Sequence, residues 1–353
     1  MNKRLSNIEA LRILAMFMVI VLHYLDKGGL LTSSAEPFRV YSYPAWLIEA
    51  FAIVATNVYV LITGYFMCNS EFKVSRVVKI LAQVLWYSIL VPVVFVLVGA
   101  VDIGSFGLYE VLQVVFPVHM YQYWFVTGYV VLLLLTPFLN AGIKQLSQKQ
   151  LLVATCLLVG YEALPKSILP VTLVTDKAGY DVLWLVCIYL IGAYIRNYGI
   201  PFFSNFKRSF LCYITGSLAI FASLIVMRVV YFKLDAFGDN INFGYDYNHI
   251  LCLFASIALF YTFLHISIPE GRFSKIIVAV APYTFGVYLL HEHMFIRYEW
   301  VKWLNVSSTD NILMLIVDLV WKCLIVLVVG LFADFVRTQI FNLCGKVFRK
   351  DKQ

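Results

Sequence analysis

The stretch Ile8–Asp26, IEALRILAMFMVIVLHYLD, is almost entirely apolar and is long enough to cross a bilayer as a helix. It nevertheless carries Arg12 near its start and His23 near its end. An α-helix rises about 1.5 Å and turns about 100° per residue, so the two groups lie about 16 Å apart along the axis and about 20° apart around it. Polar groups are costly inside a bilayer, so both residues are candidates for function.

The composition of the whole chain indicates a multi-pass membrane protein. Its 353 residues are 62% hydrophobic and 13% charged, and the mean hydropathy is +0.84. A soluble domain of this size would need far more charge to cover its surface. The net charge of +7 is scattered between apolar segments, which favours topology signals over nucleic-acid binding. We therefore expect the chain to lie in a lipid bilayer and to have no nucleic-acid partner.

Ten apolar stretches are candidate membrane spans, each near the roughly 20 residues that a bilayer requires. They cover roughly residues 8–26, 45–67, 74–99, 121–140, 148–164, 180–196, 208–231, 247–267, 275–296 and 311–336. Residues 104–118 are too short and too polar to cross, and predict an interfacial or re-entrant helix. No repeat and no linker divides the sequence, which predicts one all-α polytopic membrane domain over residues 1–353.

Basic residues are concentrated in alternate loops and in the C-terminal tail, whereas acidic residues are frequent in the loops between them. The positive-inside rule then predicts that both termini are cytoplasmic, and an even number of spans agrees with this. Arg12 would lie in the cytoplasmic half of the membrane. His23, and with it His291 and Glu292 of the ninth span, would lie in the outer half.

These polar residues also have purely structural interpretations. His291 or His293 could bridge two helices by hydrogen bonds. Arg76 and Lys79, at the start of the third span, could be topology charges with snorkelling side chains. Trp124, at the end of a span, fits an interfacial belt of aromatic residues.

Other polar groups leave two interpretations open. Glu49 and Asn57 in the second span and Asp318 in the tenth could line a cavity or hold helices together. Asp26 follows His23 by about one helical turn, so its carboxylate could orient the imidazole ring. It could equally be the first residue of the loop.

Five segments, in order along the chain, resemble the acyltransferase-3 family of integral membrane proteins. Arg12 and His23, with ten residues between them, are similar to the signature of the family's first span. Later segments of the family are matched by LITGYFM (61–67), SRVVK (75–79), QYWFVTGYVVLLLLTPFLN (122–140) and PYTFGVYLLHEHMF (282–295). Each motif is weak alone, and it is the ordered set over nearly the whole chain that carries the resemblance.

The resemblance implies an O-acyltransferase that moves an acyl group, usually acetyl from acetyl-CoA, to a hydroxyl of a carbohydrate. The implied acceptor is an extracytoplasmic cell-surface polysaccharide or its precursor. The implied location is the cell (plasma) membrane, which in a bacterium is the inner or cytoplasmic membrane. No metal is implied, and the oligomeric state is left open.

Carried over by residue, the resemblance makes His23 the catalytic base and assigns Arg12, Arg76 and Lys79 to the acyl-CoA donor. Lys79 stands where the family has a second arginine. A lysine supplies the same positive charge, but it cannot form the paired hydrogen bonds that a guanidinium group makes to a phosphate. The phosphates of CoA suit clustered basic residues. A neutral imidazole suits proton removal from a hydroxyl near neutral pH.

The remaining candidates belong to the outer half. Asp26 is assigned beside His23 as a catalytic residue that orients the ring. His291 and Glu292 are assigned to acceptor contacts or to stabilisation of an oxyanion, and Trp124 is assigned to the acceptor as well.

Two other classes of protein remain alternatives. A secondary transporter or a flippase of a polar or lipid-linked substrate would need broken helices or repeated halves around a midplane site, and no internal symmetry is evident. An unrelated membrane acyltransferase acting on lipid or peptide would also use an intramembrane histidine. It would not require the Arg12/His23 spacing.

Overall fold

The computed structural model describes residues 5–31, 41–171, 173–307 and 311–350, apart from the side chains of 105, 239 and 345–350. This part of the chain is 77% helical and contains no strand, which confirms the predicted all-α membrane fold. Its α-helices are α1 (Ser6–Lys27), α2 (Ser42–Ala52), α3 (Ala55–Met67), α4 (Val74–Leu97), α5 (Leu108–Val115), α6 (Trp124–Gln145), α7 (Gln148–Ile168), α8 (Val182–Tyr198), α9 (Phe206–Leu234), α10 (Ile250–Leu264), α11 (Arg272–Val280), α12 (Thr284–His291), α13 (Glu299–Trp303) and α14 (Ile312–Lys350).

Nine helical stretches of the described chain are long and apolar enough to cross a membrane. Two of them contain two consecutive α-helices each: Ser42–Met67 contains α2 and α3, and Arg272–His291 contains α11 and α12. The predicted span at 180–196 corresponds to α8, an apolar helix of 17 residues that is shorter than the rest. The predicted interfacial segment 104–118 contains the eight-residue α5, which has no buried residue.

Helix α1 lies at the centre of the bundle. It contacts α2, α3, α10, α11, α12 and α14. This explains why nearly every side of the helix is apolar, since a helix that is surrounded by others has no polar face to keep in water. The central position also means that the side chains of Arg12 and His23 are presented to other helices of the bundle.

Helices α3 and α8 approach each other closely through two glycines. A Cβ atom on Gly64 would lie 2.3 Å from the carbonyl oxygen of Tyr189, and one on Gly192 would lie 2.6 Å from that of Leu61. Small residues commonly allow such close helix packing in membranes. Gly64 therefore has a structural reason to be glycine.

The second predicted span is interrupted between Ala52 and Ala55, where α2 ends and α3 begins. Just beyond the interruption, the fully buried Asn57 donates to the carbonyl of Tyr247 (2.9 Å) and accepts from the indole N–H of Trp184 (3.0 Å). Asn57 thus holds helices together.

Asp318 also joins helices, because it accepts a hydrogen bond from the hydroxyl of Tyr24 on α1 (2.7 Å). The sequence left two roles open for Asn57 and Asp318, to line a cavity or to hold helices together. In the structure both residues hold helices together. Glu49 differs from them, because it lines a cavity.

Candidate active site

His23, near the end of α1, pairs with His291, the last residue of α12. The Nδ1 atom of His23 lies 2.9 Å from the Nε2 atom of His291, and the two ring centroids are 5.1 Å apart. The residues are 268 positions apart in sequence. The fold therefore brings together two of the predicted site residues, and it does so through their ring nitrogens.

The direction of this hydrogen bond follows from a second bond. The Nδ1 atom of His291 lies 2.6 Å from the carbonyl oxygen of Val287. A carbonyl oxygen can only accept, so Nδ1 of His291 carries a proton and, in the neutral ring, Nε2 is an acceptor. Nδ1 of His23 must then donate to it. In a neutral His23, the proton is thereby fixed on Nδ1 and Nε2 keeps its lone pair.

A carboxylate stands beside the histidine pair. The Oε1 atom of Glu292 lies 3.3 Å from Nδ1 of His23 and forms an ion pair with the ammonium of Lys27. Glu292 is also fixed through its backbone, because its carbonyl accepts from Arg297 (2.9 Å). A carboxylate and the ammonium paired with it therefore both lie close to the His23 ring.

A cavity of about 570 Å³ opens beside His23, at the end of α1 away from Arg12, and we call it the outer cavity. Its wall combines carboxylates, aromatic rings and a few apolar side chains. The lining residues are Leu22, His23, Asp26, Lys27, Leu31, Trp46, Glu49, Ile53, Trp124, Tyr180, Gly238, Ile241, Asn242, Tyr245, Asp246, Tyr247 and Glu292. A cavity of this size is typical of a small-molecule site, and its lining is mainly polar.

A second cavity of about 50 Å³ is also lined by His23. It is mainly apolar and is lined by Met16, Val19, Leu22, His23, Thr56, Tyr59, Trp124, Phe125, Tyr247, Phe285 and Tyr288. The hydroxyl of Tyr59 donates to the backbone carbonyl of Arg12 (2.8 Å), so this inner cavity extends from His23 toward the level of Arg12. His23 thus lines both cavities.

The predicted donor residues lie toward the opposite end of the bundle. Arg12 pairs with Glu9 (3.3 Å), and the half-buried Arg76 donates to the hydroxyl of Ser70 (3.1 Å). Lys79 is exposed. Helix α3 returns past Arg12 before α4 begins, so Arg76 and Lys79 lie at the Arg12 end. No hydrogen bond or ion pair between described residues joins Arg12 to the other two cations.

Two further predicted residues line the outer cavity. Asp26 is exposed there, and no contact between described residues joins its carboxylate to His23. The ring of Trp124 stacks on Tyr247, with 5.7 Å between centroids, and lies 4.3 Å from the ring of Tyr180. It thereby forms an aromatic wall shared by both cavities.

The ligand atoms of His23, His291 and Glu292 lie within 4.8 Å of one another, so this group could meet one metal ion. A metal would compete with two interactions that are already present, the His23–His291 hydrogen bond and the Lys27–Glu292 ion pair. The 2.9 Å between the two nitrogens is a hydrogen-bond distance. The donor set is therefore better satisfied by protons and by the Lys27 ammonium than by an added cation.

Sequence reasoning missed Lys27, which holds the carboxylate of Glu292 beside His23. The only available signal was its position, directly after Asp26 at the end of the first span. The predicted topology placed that position at a depth similar to that of Glu292, which has the opposite charge.

The apolar helices and the histidine pair that they enclose define an integral, multi-pass membrane protein with a buried histidine pair, one ring of which lines two cavities. Residues 5–334, nearly the whole chain, match the acyltransferase-3 family, whose description is an acyltransferase domain. The chain belongs to this family, which confirms the resemblance seen in the sequence, and the protein is a membrane acyltransferase. No curated protein and no solved structure matches the chain significantly.

Proposed function

We propose that the protein transfers acetyl from cytoplasmic acetyl-CoA to a hydroxyl of an extracytoplasmic carbohydrate, a cell-surface polysaccharide or its precursor. The observation that carries the proposal is the free Nε2 atom of His23, which makes no hydrogen bond within the described part of the chain. The His23 side chain lines both a wide, mainly polar cavity and a narrow, mainly apolar one. This suits a base that meets an acceptor in one cavity and a thioester in the other.

In the proposed reaction, Nε2 of His23 takes the proton of the acceptor hydroxyl as the oxygen attacks the thioester carbonyl. The C–O bond forms, the tetrahedral intermediate collapses, and the C–S bond breaks. The CoA thiolate then takes the proton back from Nε2. His291 holds the Nδ1–H bond throughout, and the carboxylate of Glu292 stabilises the transient imidazolium.

The donor would enter from the Arg12 end, which we assign to the cytoplasm. Arg12, Arg76 and Lys79 would attract the phosphates of CoA as charged groups. The distance from Arg12 to His23 is about 16 Å along the helix, which is comparable with the length of the CoA arm. The thioester would then reach His23 through the inner cavity, past Tyr59.

The size of the inner cavity supports acetyl as the acyl group. The cavity is small, about 50 Å³, and its wall includes Met16, Phe125 and Tyr288. A short acyl group occupies such a space with less displacement of these side chains than a long one. A longer acyl chain would therefore react more slowly.

The outer cavity supports a polar acceptor. Its wall offers carboxylates and the amide of Asn242 to hydroxyls. The rings of Trp124, Tyr180 and Tyr247 are available to the apolar faces of a sugar. Both nitrogens of His291 are already engaged, so a direct contact of His291 with the acceptor would require one of these bonds to break. We therefore assign His291 to positioning of His23.

The test is acceptor-dependent release of CoA by the purified protein in lipid nanodiscs. Acetyl-CoA, butyryl-CoA and octanoyl-CoA are compared, with and without a mixture of oligosaccharides, and products are identified by mass spectrometry. We expect O-acetylated oligosaccharide, with acetyl-CoA the fastest donor. Absence of any acylated sugar with every donor, while the oligosaccharides cross sealed proteoliposomes, would instead favour a transporter.

A further inference from the structure

Asp246 lies in the wall of the outer cavity, just before α10 begins. The mechanism proposed above does not use it. Its side chain is 20% exposed. One of its carboxylate oxygens, Oδ1, makes no hydrogen bond with the residues that the structure describes, and it is not one of the atoms that are buried without a partner. This oxygen is therefore accessible to a ligand in the outer cavity.

The other carboxylate oxygen of Asp246 is held by Lys166, which does not itself line the cavity. The Lys166 ammonium lies 2.6 Å from Oδ2 of Asp246 and 3.3 Å from Oδ2 of Asp176. Its side chain is only 6% exposed, and a buried ammonium needs such partners. The carboxylate of Asp246 is thus anchored at one oxygen while the other stays available.

The two residues that follow Asp246 are tied to the loop before α8. The backbone N–H of Tyr247 donates to the carbonyl of Ala178 (3.1 Å), and the amide of Asn248 donates to Oδ1 of Asp176 (2.8 Å). These bonds hold the Asp246 segment in place without a ligand. A ligand therefore does not have to order this part of the wall, which lowers the entropic cost of binding.

Aromatic rings lie beside the carboxylate. Tyr247 is the next residue in sequence, and its ring centroid is 4.9 Å from that of Tyr180 and 5.7 Å from that of Trp124. All three rings line the outer cavity together with Asp246. Aromatic walls with a few fixed polar groups orient small molecules. A sugar suits this wall, because it has apolar C–H faces for the rings and hydroxyls for the carboxylate.

The chemistry of an ionised carboxylate restricts the group that it binds. Both of its oxygens can only accept hydrogen bonds, so Oδ1 of Asp246 requires a donor on the ligand. A site that is built to bond a hydroxyl strongly rejects an analogue that lacks it, because the polar group of the protein is then left unpaired.

We propose that Asp246 determines specificity in the acceptor site, where its Oδ1 atom accepts a hydrogen bond from a sugar hydroxyl that is not acetylated. The reacting hydroxyl is bound at Nε2 of His23, and no contact between described residues joins Asp246 to His23. The acceptor therefore presents two free hydroxyls, one for reaction and one for recognition. Lys166 acts through Asp246 and is a positioning residue. The inference rests on the proposed function, since it concerns the acceptor of the acetyl transfer.

The test compares sugars with and without single hydroxyls. The probes are the methyl glycosides of glucose, galactose, mannose and rhamnose, and the monodeoxy derivatives of whichever glycoside binds most tightly. Affinities are measured by calorimetry on the protein in phosphatidylcholine nanodiscs, in the absence of acetyl-CoA. We expect loss of one particular hydroxyl to weaken binding by at least about tenfold, since hydrogen bonds to charged groups are the stronger ones.

The Asp246→Ala substitution assigns that hydroxyl to Asp246. The parent glycoside should bind this variant at least about tenfold more weakly than the wild type, and loss of the same hydroxyl should then change the affinity by less than about threefold. A merely structural role would weaken both sugars and keep their ratio. The variant is expected to fold, because Lys166 keeps Asp176 as its partner.

A second pair of variants tests the positioning role of Lys166. Lys166→Met removes the anchor of Asp246, so the parent glycoside should bind about tenfold more weakly, whereas Lys166→Arg keeps the charge and should stay within about threefold of the wild type. Lys302→Met is the matched control, because it breaks an ion pair of the same length (2.6 Å, with Glu299) outside both cavities. Glu110→Ala is the control for Asp246→Ala, since Glu110 lines neither cavity.

The outcomes separate this proposal from the proposed function. No binding of any probe, equal binding of every deoxy sugar, or a hydroxyl dependence that persists in Asp246→Ala overturns the role of Asp246, whatever the enzyme transfers. A hydroxyl dependence that disappears in Asp246→Ala, without acetyl transfer by the wild type, supports the role and counts against the acetyltransferase. If Lys166→Met fails to fold, the Asp246→Ala comparison still decides.

Discussion

The imidazole of His23 donates its Nδ1 proton to Nε2 of His291 across 2.9 Å, and the carbonyl of Val287 fixes the direction of that bond. The geometry therefore selects one tautomer of His23 before any substrate binds. In serine proteases a carboxylate accepts the Nδ1–H hydrogen bond of the catalytic histidine and fixes its tautomer in the same way. Here a second histidine does so, and Glu292 stands 3.3 Å from the same nitrogen.

Replacement of His23 tests its proposed role as the catalytic base. We expect His23→Gln to lower the rate of acetyl transfer by about 10²- to 10⁴-fold, the usual contribution of general acid–base catalysis. Binding of acetyl-CoA should be unchanged, since the donor residues lie at the other end of α1. Rates and donor affinity are measured on equal amounts of membrane-inserted protein. Full activity in this variant would remove His23 from the mechanism.

The His291→Phe substitution tests the proposed role of His291 in positioning the ring of His23. The ring volume is largely kept but the acceptor nitrogen is lost, so we expect kcat to fall by about 100-fold while the KM for acetyl-CoA stays the same. A general loss of structure would change both. His265→Phe is the matched control, because His265 also bonds a backbone carbonyl (Phe203, 2.8 Å) but lines neither cavity.

Charge reversal tests the donor end. Arg76→Glu and Lys79→Glu should each raise the KM for acetyl-CoA by about tenfold or more, with a smaller difference at high salt because exposed charges are screened. Lys149→Glu, at the exposed start of α7, is the control and should retain the wild-type KM. Unchanged donor binding in both variants would mean that Arg76 and Lys79 serve topology alone.

Treatment with a chelator tests whether the histidine pair binds a metal ion. We expect full activity after EDTA or 1,10-phenanthroline treatment, because protons and Lys27 already satisfy the group formed by His23, His291 and Glu292. Activity and metal content are measured together. Loss of activity that added Zn²⁺ restores would instead make these three residues metal ligands.

Gly64→Ala tests the close contact of α3 with α8. The new Cβ would lie 2.3 Å from the Tyr189 carbonyl oxygen, so the helices must separate, at a cost of about 1–3 kcal/mol. We expect a lower thermal midpoint in detergent. Gly142→Ala is the control, since open space surrounds that position and alanine favours a helix. Equal midpoints for the two variants would contradict the close packing.

The helices were predictable because each one corresponds to a continuous apolar stretch, which is a local feature of the sequence. The first span, expected at residues 8–26, is found at Ser6–Lys27. The spacing of Arg12 and His23 placed the two groups at different depths on the same helix. The interruption of the second span was not predictable, since neither proline nor glycine occurs between Ala52 and Ala55. Contacts such as those of Asn57, with residues distant in sequence, accompany it.

The pairing of His23 with His291 could not be predicted from the sequence for a similar reason. Sequence proximity favoured Asp26 as the residue that orients His23, because it lies one turn away. The described structure instead joins the ring to His291, 268 residues further along the chain. Helical periodicity predicts which face a side chain occupies, but it contains no information on which distant helix will face it.

The hydrogen-bonded chain from His23 through His291 ends at the peptide carbonyl of Val287, a group that does not take up a proton at neutral pH. In the proposed reaction, the proton taken from the acceptor therefore has no onward route through this chain. It stays on Nε2 until the departing thiolate retrieves it. Each turnover would then leave the proton balance across the membrane unchanged, and the thioester alone would drive the modification of a sugar on the far side.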